Sequence, residues 1–267
     1  MFKALITAFS LYTRIPMPYL KMSDKDMRYV LSWFPVTGVV LGFLEALAMY
    51  ASYICGLSVF VTSILLIIIP IVYTGGIHID GFMDTTDALR SYKPKEDKLK
   101  IMDDPHSGAF AIIGLSVYLM VSFALYVIAI RDVATGHMIF ICQMFILSRS
   151  LSAITCYALP KAKKSGMLYN ITESFDGAEK NKGVEKYILP VLFFVVSVSV
   201  QIYSDLYAGI INVCLQSLLI LYYIRKTKKE FGGITGDTAG WLLQQSELLS
   251  IVSLAVKVIF FDKGVCG

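Results

Sequence analysis

Residues 109–130 read AFAIIGLSVYLMVSFALYVIAI, with no acidic or basic side chain among them. At 1.5 Å of rise per residue, a helix of this stretch would be about 33 Å long, enough to cross the roughly 30 Å hydrocarbon layer of a bilayer. The rest of the chain is built in the same way. Of its 267 residues, 56% are hydrophobic and 16% charged, and the mean hydropathy is +0.66. Soluble domains carry about 25% charged residues, so this chain has too few charges to coat a globule. A soluble globular fold and disorder are both excluded. Five cysteines (Cys55, Cys142, Cys156, Cys214 and Cys266) are scattered, odd in number and without CxxC spacing, which argues against a disulfide framework.

Runs of comparable length predict an all-α, polytopic integral membrane helix bundle with about seven spans. They cover Leu31–Ile54, Leu57–Tyr73, Ala109–Ile130, Met138–Leu159, Tyr187–Tyr203, Leu206–Ile224 and Trp241–Phe261. The N-terminal segment MFKALITAFSLYTRIPMP has a short apolar run ended by Arg14 and Pro16 and no A-x-A-like cleavage site. It reads as an interfacial helix rather than a signal peptide. The whole chain, 1–267, is expected to be one membrane-embedded catalytic domain.

Charge alternates between the connections. Residues 1–30 and the loops 75–107, 160–186 and 225–240 hold 20 of the 24 Lys and Arg residues, whereas the opposite connections hold only Arg131 and Lys263. By the positive-inside rule, the N-terminus and these three loops are expected in the cytoplasm of a prokaryotic cell (inner) membrane. The Lys93–Lys100 run is expected to meet anionic lipid headgroups. The partners implied are the lipid bilayer and small molecules, not nucleic acid. Short spans and small residues such as Gly42 leave room for a homo-oligomer.

Two glycine-rich, acid-bearing segments fall on the predicted cytoplasmic side. The first runs GGIHIDGFMDTTDALR from Gly75 to Arg90. If it is helical from about Asp80, then Asp80, Asp84 and Asp87 stand at i, i+4 and i+7, within about 60° of one another on one face. Three like charges stacked this way repel unless a cation neutralises them. Gly75, Gly76 and Gly81 would permit close approach of a bulky anionic ligand. The second segment, GGITGDTAG over 232–240, adds Asp237 just before the last span, and Asp103, Asp104, His106 and Gly108 precede the third.

Carboxylates, glycine loops and nearby cations suit a magnesium diphosphate, because Mg²⁺ takes one or two carboxylates together with phosphate oxygens and water. The plainer reading makes each aspartate a helix N-cap or part of a solvated face. His78 and His106 stand as bases, phosphate contacts or loop supports. Arg149, inside a span, is costly to bury and so is a functional or ion-pairing candidate, with Glu45 and Glu247 as potential partners.

The blocks GGIHIDGFMDTTDAL, IMDDPHSGAF and GGITGDTAG, in that order on a polytopic chain, resemble cobalamin synthase, also called adenosylcobinamide-GDP ribazoletransferase. Thr13-Arg14-Ile15-Pro16, Trp33-Phe34-Pro35 with Gly38, Arg149 and Ser165-Gly166-Met167 fit the same layout. The resemblance implies a magnesium-dependent membrane enzyme of the last stage of cobalamin biosynthesis. Such an enzyme joins adenosylcobinamide-GDP to alpha-ribazole, or to its 5'-phosphate, with release of GMP. It further implies Asp80, Asp84 and Asp87 as metal and diphosphate ligands, and His78, Asp104 and Asp237 as catalytic groups. Gly75, Gly76, Gly81, Arg14, His106, Arg149, Gly233, Thr235 and Gly236 would contact substrate. Two positions depart from the pattern: His106 stands where relatives commonly carry arginine, and Gln244 where they commonly carry glutamate.

Two other classes are weighed against this reading. A CDP-alcohol-type phosphotransferase also uses clustered aspartates at a membrane surface, but its DxxDGxxAR order is not reproduced here. A transporter would be expected to show internal repeats and mid-membrane broken helices, whereas the acids of this chain cluster at one surface.

Overall fold

The computed structural model describes residues 2–18, 20, 23–131, 135–172 and 183–262. Lys21, Lys180, Lys182, Lys263 and Cys266, which enter the charge and cysteine patterns, lie outside the described residues, as does much of the 160–186 loop. Among the described residues the chain is helical throughout, and its one β feature is an isolated parallel bridge between Lys161 and Ile234.

Six helices are long and apolar enough to span a bilayer. They are α3 (Phe34–Ile54, preceded by a 3-10 turn at Leu31–Trp33), α7 (Ala109–Ala129), α8 (Thr135–Ala158), α10 (Glu185–Ser204), α11 (Leu206–Glu230) and α12 (Gly236–Phe261). A seventh apolar helix, α4 (Val59–Thr74), is followed at a bend of 95° by α5 (Ile77–Arg90). Helix α4, with 16 residues, is shorter than the six, and a seventh span is counted only when α4 and α5 are taken together as one bent pair. The polar α5 itself turns away from the direction of α4. Short helices complete the loop-bearing end: α1 (Phe2–Tyr12), α2 (Asp24–Met27), α6 (Lys95–Met102) and α9 (Met167–Thr172).

The core follows from which faces are apolar. Helix α8 is the central element, with Phe140, Ile141, Met144, Phe145 and Leu147 all buried, and it packs against α3, α10 and α12. In contrast, α7 and α10 turn most of their surface outward, and large apolar residues such as Met120, Ile113 and Leu192 are exposed there. An outer shell of apolar side chains around a packed centre is what a lipid-facing bundle requires.

Helix α1 turns Ala4, Ala8 and Tyr12 into a cluster with Leu31, Phe34 and Tyr223, so its apolar face is docked on protein as well as near the chain end. Gly42 needs correcting as an oligomer surface. A Cβ there would lie 2.7 Å from the Cys142 carbonyl oxygen, so this glycine is used in the close α3–α8 contact inside the chain. Two helices also begin or end beyond the predicted spans. Helix α11 runs on to Glu230, and α12 starts at Gly236 because Thr235 and Thr238 form a reciprocal capping box. Asp237 therefore sits in a first helical turn rather than in a loop.

Candidate active site

The site begins at the α4–α5 bend. Gly75 and Gly76 take φ values of +65° and +82°, a left-handed conformation open to glycine, and they cap α4 and start α5 in a new direction. Gly75 has a second role. The Arg14 side chain lies so close over it that a Cβ would clash with Nε, and the Arg14 amide donates to the Tyr73 carbonyl at 2.8 Å. Arg14 is thereby fixed at the mouth of the bend, lining an open hollow with Gly75, Gly76 and Asp80.

Helix α5 begins at Ile77, three residues earlier than expected, and carries Asp80, Asp84 and Asp87 on one face. Asp80 is exposed, while Asp84 and Asp87 are half-buried. The start of α12 crosses α5 at Gly81, where a Cβ would lie 2.8 Å from the Asp237 Cα and 2.9 Å from its carbonyl oxygen. This crossing puts the fourth carboxylate beside the other three. Partial burial, followed by the charges of Asp80, Asp237 and Asp87, pushes the Asp84 carboxyl up to about 7. The group is short of positive charge.

Among the described residues no three acid, histidine or cysteine side chains already converge into a metal cage. An open set of hard carboxylate oxygens is nevertheless the donor chemistry that Mg²⁺ uses when substrate phosphates complete its shell. The residues present fit that ion.

Behind this face lies a cavity of about 150 Å³, lined by His78, Asp80, Gly236 and Asp237 together with Tyr12 and Phe34. His78 is buried, its Nε2 has no hydrogen-bond partner, and its ring centroid sits 5.5 Å from that of Phe34 and 6.3 Å from that of Tyr12. Burial, and then the nearby Arg149 cation, hold the imidazole well below its usual pKa, so it is neutral near pH 7. Arg149 is 1% exposed; its Nη1 donates to Glu247 at 2.8 Å and to the Phe145 carbonyl at 3.1 Å. Of the two acids proposed to pair with it, the structure selects Glu247 and leaves both oxygens of Glu45 without a hydrogen bond. Arg149 is thus held in the interior by Glu247, close to His78.

Other predicted residues separate into two groups. Asp104 accepts from the His106 amide at 2.9 Å and from its Nδ1 at 2.8 Å, and both side chains are exposed. The two form a local pair, whereas Gly108, two residues beyond His106, packs directly on the Asp87 carboxylate. Gly233 and Thr235 serve internal geometry. A Cβ on Gly233 would strike the Pro160 carbonyl oxygen at 2.6 Å, and Thr235 caps α12. Gly236 faces open space. Gln244 accepts from Tyr118 Oη at 2.7 Å.

One residue escaped the sequence reading. Lys163 donates to Asp103 at 2.6 Å and lies within electrostatic reach of Asp237. Its loop is stapled there by paired backbone bonds, Ala162 to Ile234 and Ile234 to Pro160, both 2.9 Å. The signal was the KAKK run at 161–164, which had entered only as net charge.

A family model described as cobalamin-5-phosphate synthase matches residues 4–255. The chain belongs to that family. Every residue of the site, from Arg14 to Asp237, lies inside the matched region. A curated relative from Lachnoclostridium phytofermentans, named adenosylcobinamide-GDP ribazoletransferase, is 34% identical over 96% of this chain and 95% of its own. Proteins of the same name from Clostridium botulinum (strain Alaska E43) and Clostridium perfringens (strain SM101) are each 28% identical. These cover 95% and 96% of this chain and 97% and 98% of their own lengths. No solved structure matches the chain. For the cobalamin-5-phosphate synthase family, then, this bundle supplies a view of how the glycine–aspartate blocks come together.

Proposed function

We propose that the chain transfers the adenosylcobinamide-phosphate group of adenosylcobinamide-GDP to alpha-ribazole, or to its 5'-phosphate. GMP leaves, and adenosylcobalamin or its 5'-phosphate forms. The support is family membership, the shared name of the relatives, and above all one geometric fact. The Asp80/Asp84/Asp87 face of α5 and Asp237 of α12 meet across Gly81 at the loop-bearing end of a membrane bundle.

In this reading Asp80, Asp84 and Asp87 would hold Mg²⁺, which when bound would supply positive charge to the diphosphate and to the departing GMP. The carboxylates position the diphosphate for in-line attack by the ribazole 3'-hydroxyl on the corrinoid-side phosphorus. Asp237, held in the first turn of α12 with its Oδ2 accepting from the Thr235 hydroxyl at 3.4 Å, takes the hydroxyl proton. A neutral His78 shares the cavity beneath it and keeps its Nε2 free to accept a proton or hold water. Lys163 and Arg14 stand at two sides of the face and bind phosphate oxygens.

The concentration of basic residues in alternate connections supports placing the N-terminus, this face and its loops in the cytoplasm, with the bundle in the inner membrane of a prokaryotic cell. The deciding experiment reconstitutes the protein in vesicles with adenosylcobinamide-GDP and alpha-ribazole, with and without Mg²⁺, and measures GMP. Release that needs both substrates and the ion supports the reading. Equal release of CMP when CDP-alcohols replace adenosylcobinamide-GDP, or no nucleotide release from either donor, overturns it.

A further inference from the structure

The opposite side of α5 borders a second feature. At 100° per residue, Phe82, Thr86 and Leu89 project away from the three aspartates and Arg90 stands about a quarter-turn round from them, and the four form one wall of a groove of about 590 Å³. Helix α7 forms another wall with Phe110, Ile113 and Val117, all three at least half exposed and running from the loop-bearing end into the span. Helices α11 and α12 close the groove with Tyr222 and Lys226, and with Trp241 and Gln245, each pair one helical turn apart.

The groove is polarised. Its outer end holds Arg90 and Lys226, and Tyr222 and Trp241 stand beside them as aromatic residues do at a headgroup boundary. Its inner end is the apolar stripe of α7. Lys226 shares the Glu230 carboxylate, at 3.4 Å, with Lys98, so two cations face one anion. No hydrogen bond or ion pair engages the exposed Arg90 guanidinium among the described residues. Positive charge at the rim and apolar surface below complement one molecule class present wherever such a bundle resides.

We propose that this groove seats one anionic phospholipid, its phosphate between Arg90 and Lys226 and an acyl chain along Phe110, Ile113 and Val117. The lipid lies directly behind the helix that carries the aspartates, and occupancy does not depend on which reaction that helix serves. A free phosphate ion would use the two cations and leave the apolar stripe bare.

The test uses the full chain in nanodiscs of three parts phosphatidylcholine to one part phosphatidylglycerol, followed by native mass spectrometry of retained lipid. Each cation near an anionic headgroup is worth about a fivefold preference, so wild type should retain phosphatidylglycerol well above the bulk ratio. Arg90→Gln with Lys226→Gln should return retention to that ratio, and Arg90→Lys with Lys226→Arg should keep the enrichment. Lys93→Gln with Lys95→Gln, exposed just before and at the start of α6, should also keep it. If the double glutamine variant does not fold, Arg90→Gln alone, at an exposed helix end, should still lower the enrichment several-fold. Millimolar inorganic phosphate should not displace the lipid. The proposal is overturned if wild type shows no enrichment or phosphate displaces the lipid. It is equally overturned if enrichment tracks the α6 lysines rather than the groove.

Discussion

The most informative single substitution is Gly81→Ala. The added methyl would sit 2.8 Å from the Asp237 Cα and 2.9 Å from its carbonyl oxygen, against an ordinary contact that begins at 3.4 Å. Both obstacles are backbone, so no side chain can swing aside. The start of α12 must retreat from α5 by about 0.6 Å or more, and that motion carries Asp237 away from Asp84.

Overpacking of this kind costs roughly 1–3 kcal/mol, while replacing glycine by alanine within a helix returns up to about 1 kcal/mol. The net loss of stability is therefore modest. Activity should suffer more, because a misplacement of about 1 Å can cost on the order of a hundredfold in rate, and half that displacement on the order of tenfold. GMP release in vesicles, measured beside the thermal midpoint of the same preparation, separates the two effects. Wild-type turnover in Gly81→Ala would refute the claim that the α5–α12 crossing sets the carboxylate geometry.

Three further outcomes follow from the same geometry. The raised pKa of Asp84, about 7 against 3.8, means that this carboxyl is largely neutral near pH 6 and ionised near pH 8. Metal-free protein should thus lose stability as pH rises through that window, and Mg²⁺ should raise the melting temperature more at the higher pH; Asp84→Asn should erase both trends and abolish GMP release. Lys163→Ala should raise the KM for the nucleotide substrate about tenfold, the usual size of one charged hydrogen bond, with kcat little changed and Lys163→Arg restoring it. Glu247→Ala strands the Arg149 cation in the interior and should cost roughly 3–5 kcal/mol by chemical denaturation, whereas Arg149→Met combined with Glu247→Leu should recover much of that loss.

Which of these features could be read from the chain depended on the range of the interaction. The α5 aspartates were legible because helical periodicity is local: spacing alone puts positions 80, 84 and 87 on one face. The spans were legible because a bilayer imposes its own length on apolar runs. Asp237 was recognised as an acid, but its approach to Asp84 depends on Gly81 being bare where α12 crosses. That is a contact over more than 150 residues of sequence, and periodicity carries no information about it. Lys163 was hidden for the same reason, since only the pairing of its loop with Ile234 brings it to the site. Conversely, Asp103 and Asp104 are adjacent acids in the sequence. The backbone separates them, turning one toward His106 and the other toward Lys163.

The interior polar residues give the pattern a physical sense. A bundle in lipid gains little from the hydrophobic effect between its own helices, so small residues and buried polar contacts must fix their register. Here α12 is tied to α8 by Arg149 and Glu247 and to α11 by Gln216, whose Nε2 donates to the Ser246 carbonyl at 2.9 Å. Those two ties hold the helix whose first turn carries Asp237, and the closest approach to α5 occurs where glycine leaves no slack. The position of the α12 first turn is therefore fixed in part by contacts deep within the span. This is why Glu247→Ala, combined with any stabilising condition that keeps the protein folded, should still reduce GMP release. Full activity in such a folded variant would mean that α12 is positioned by its capping box alone.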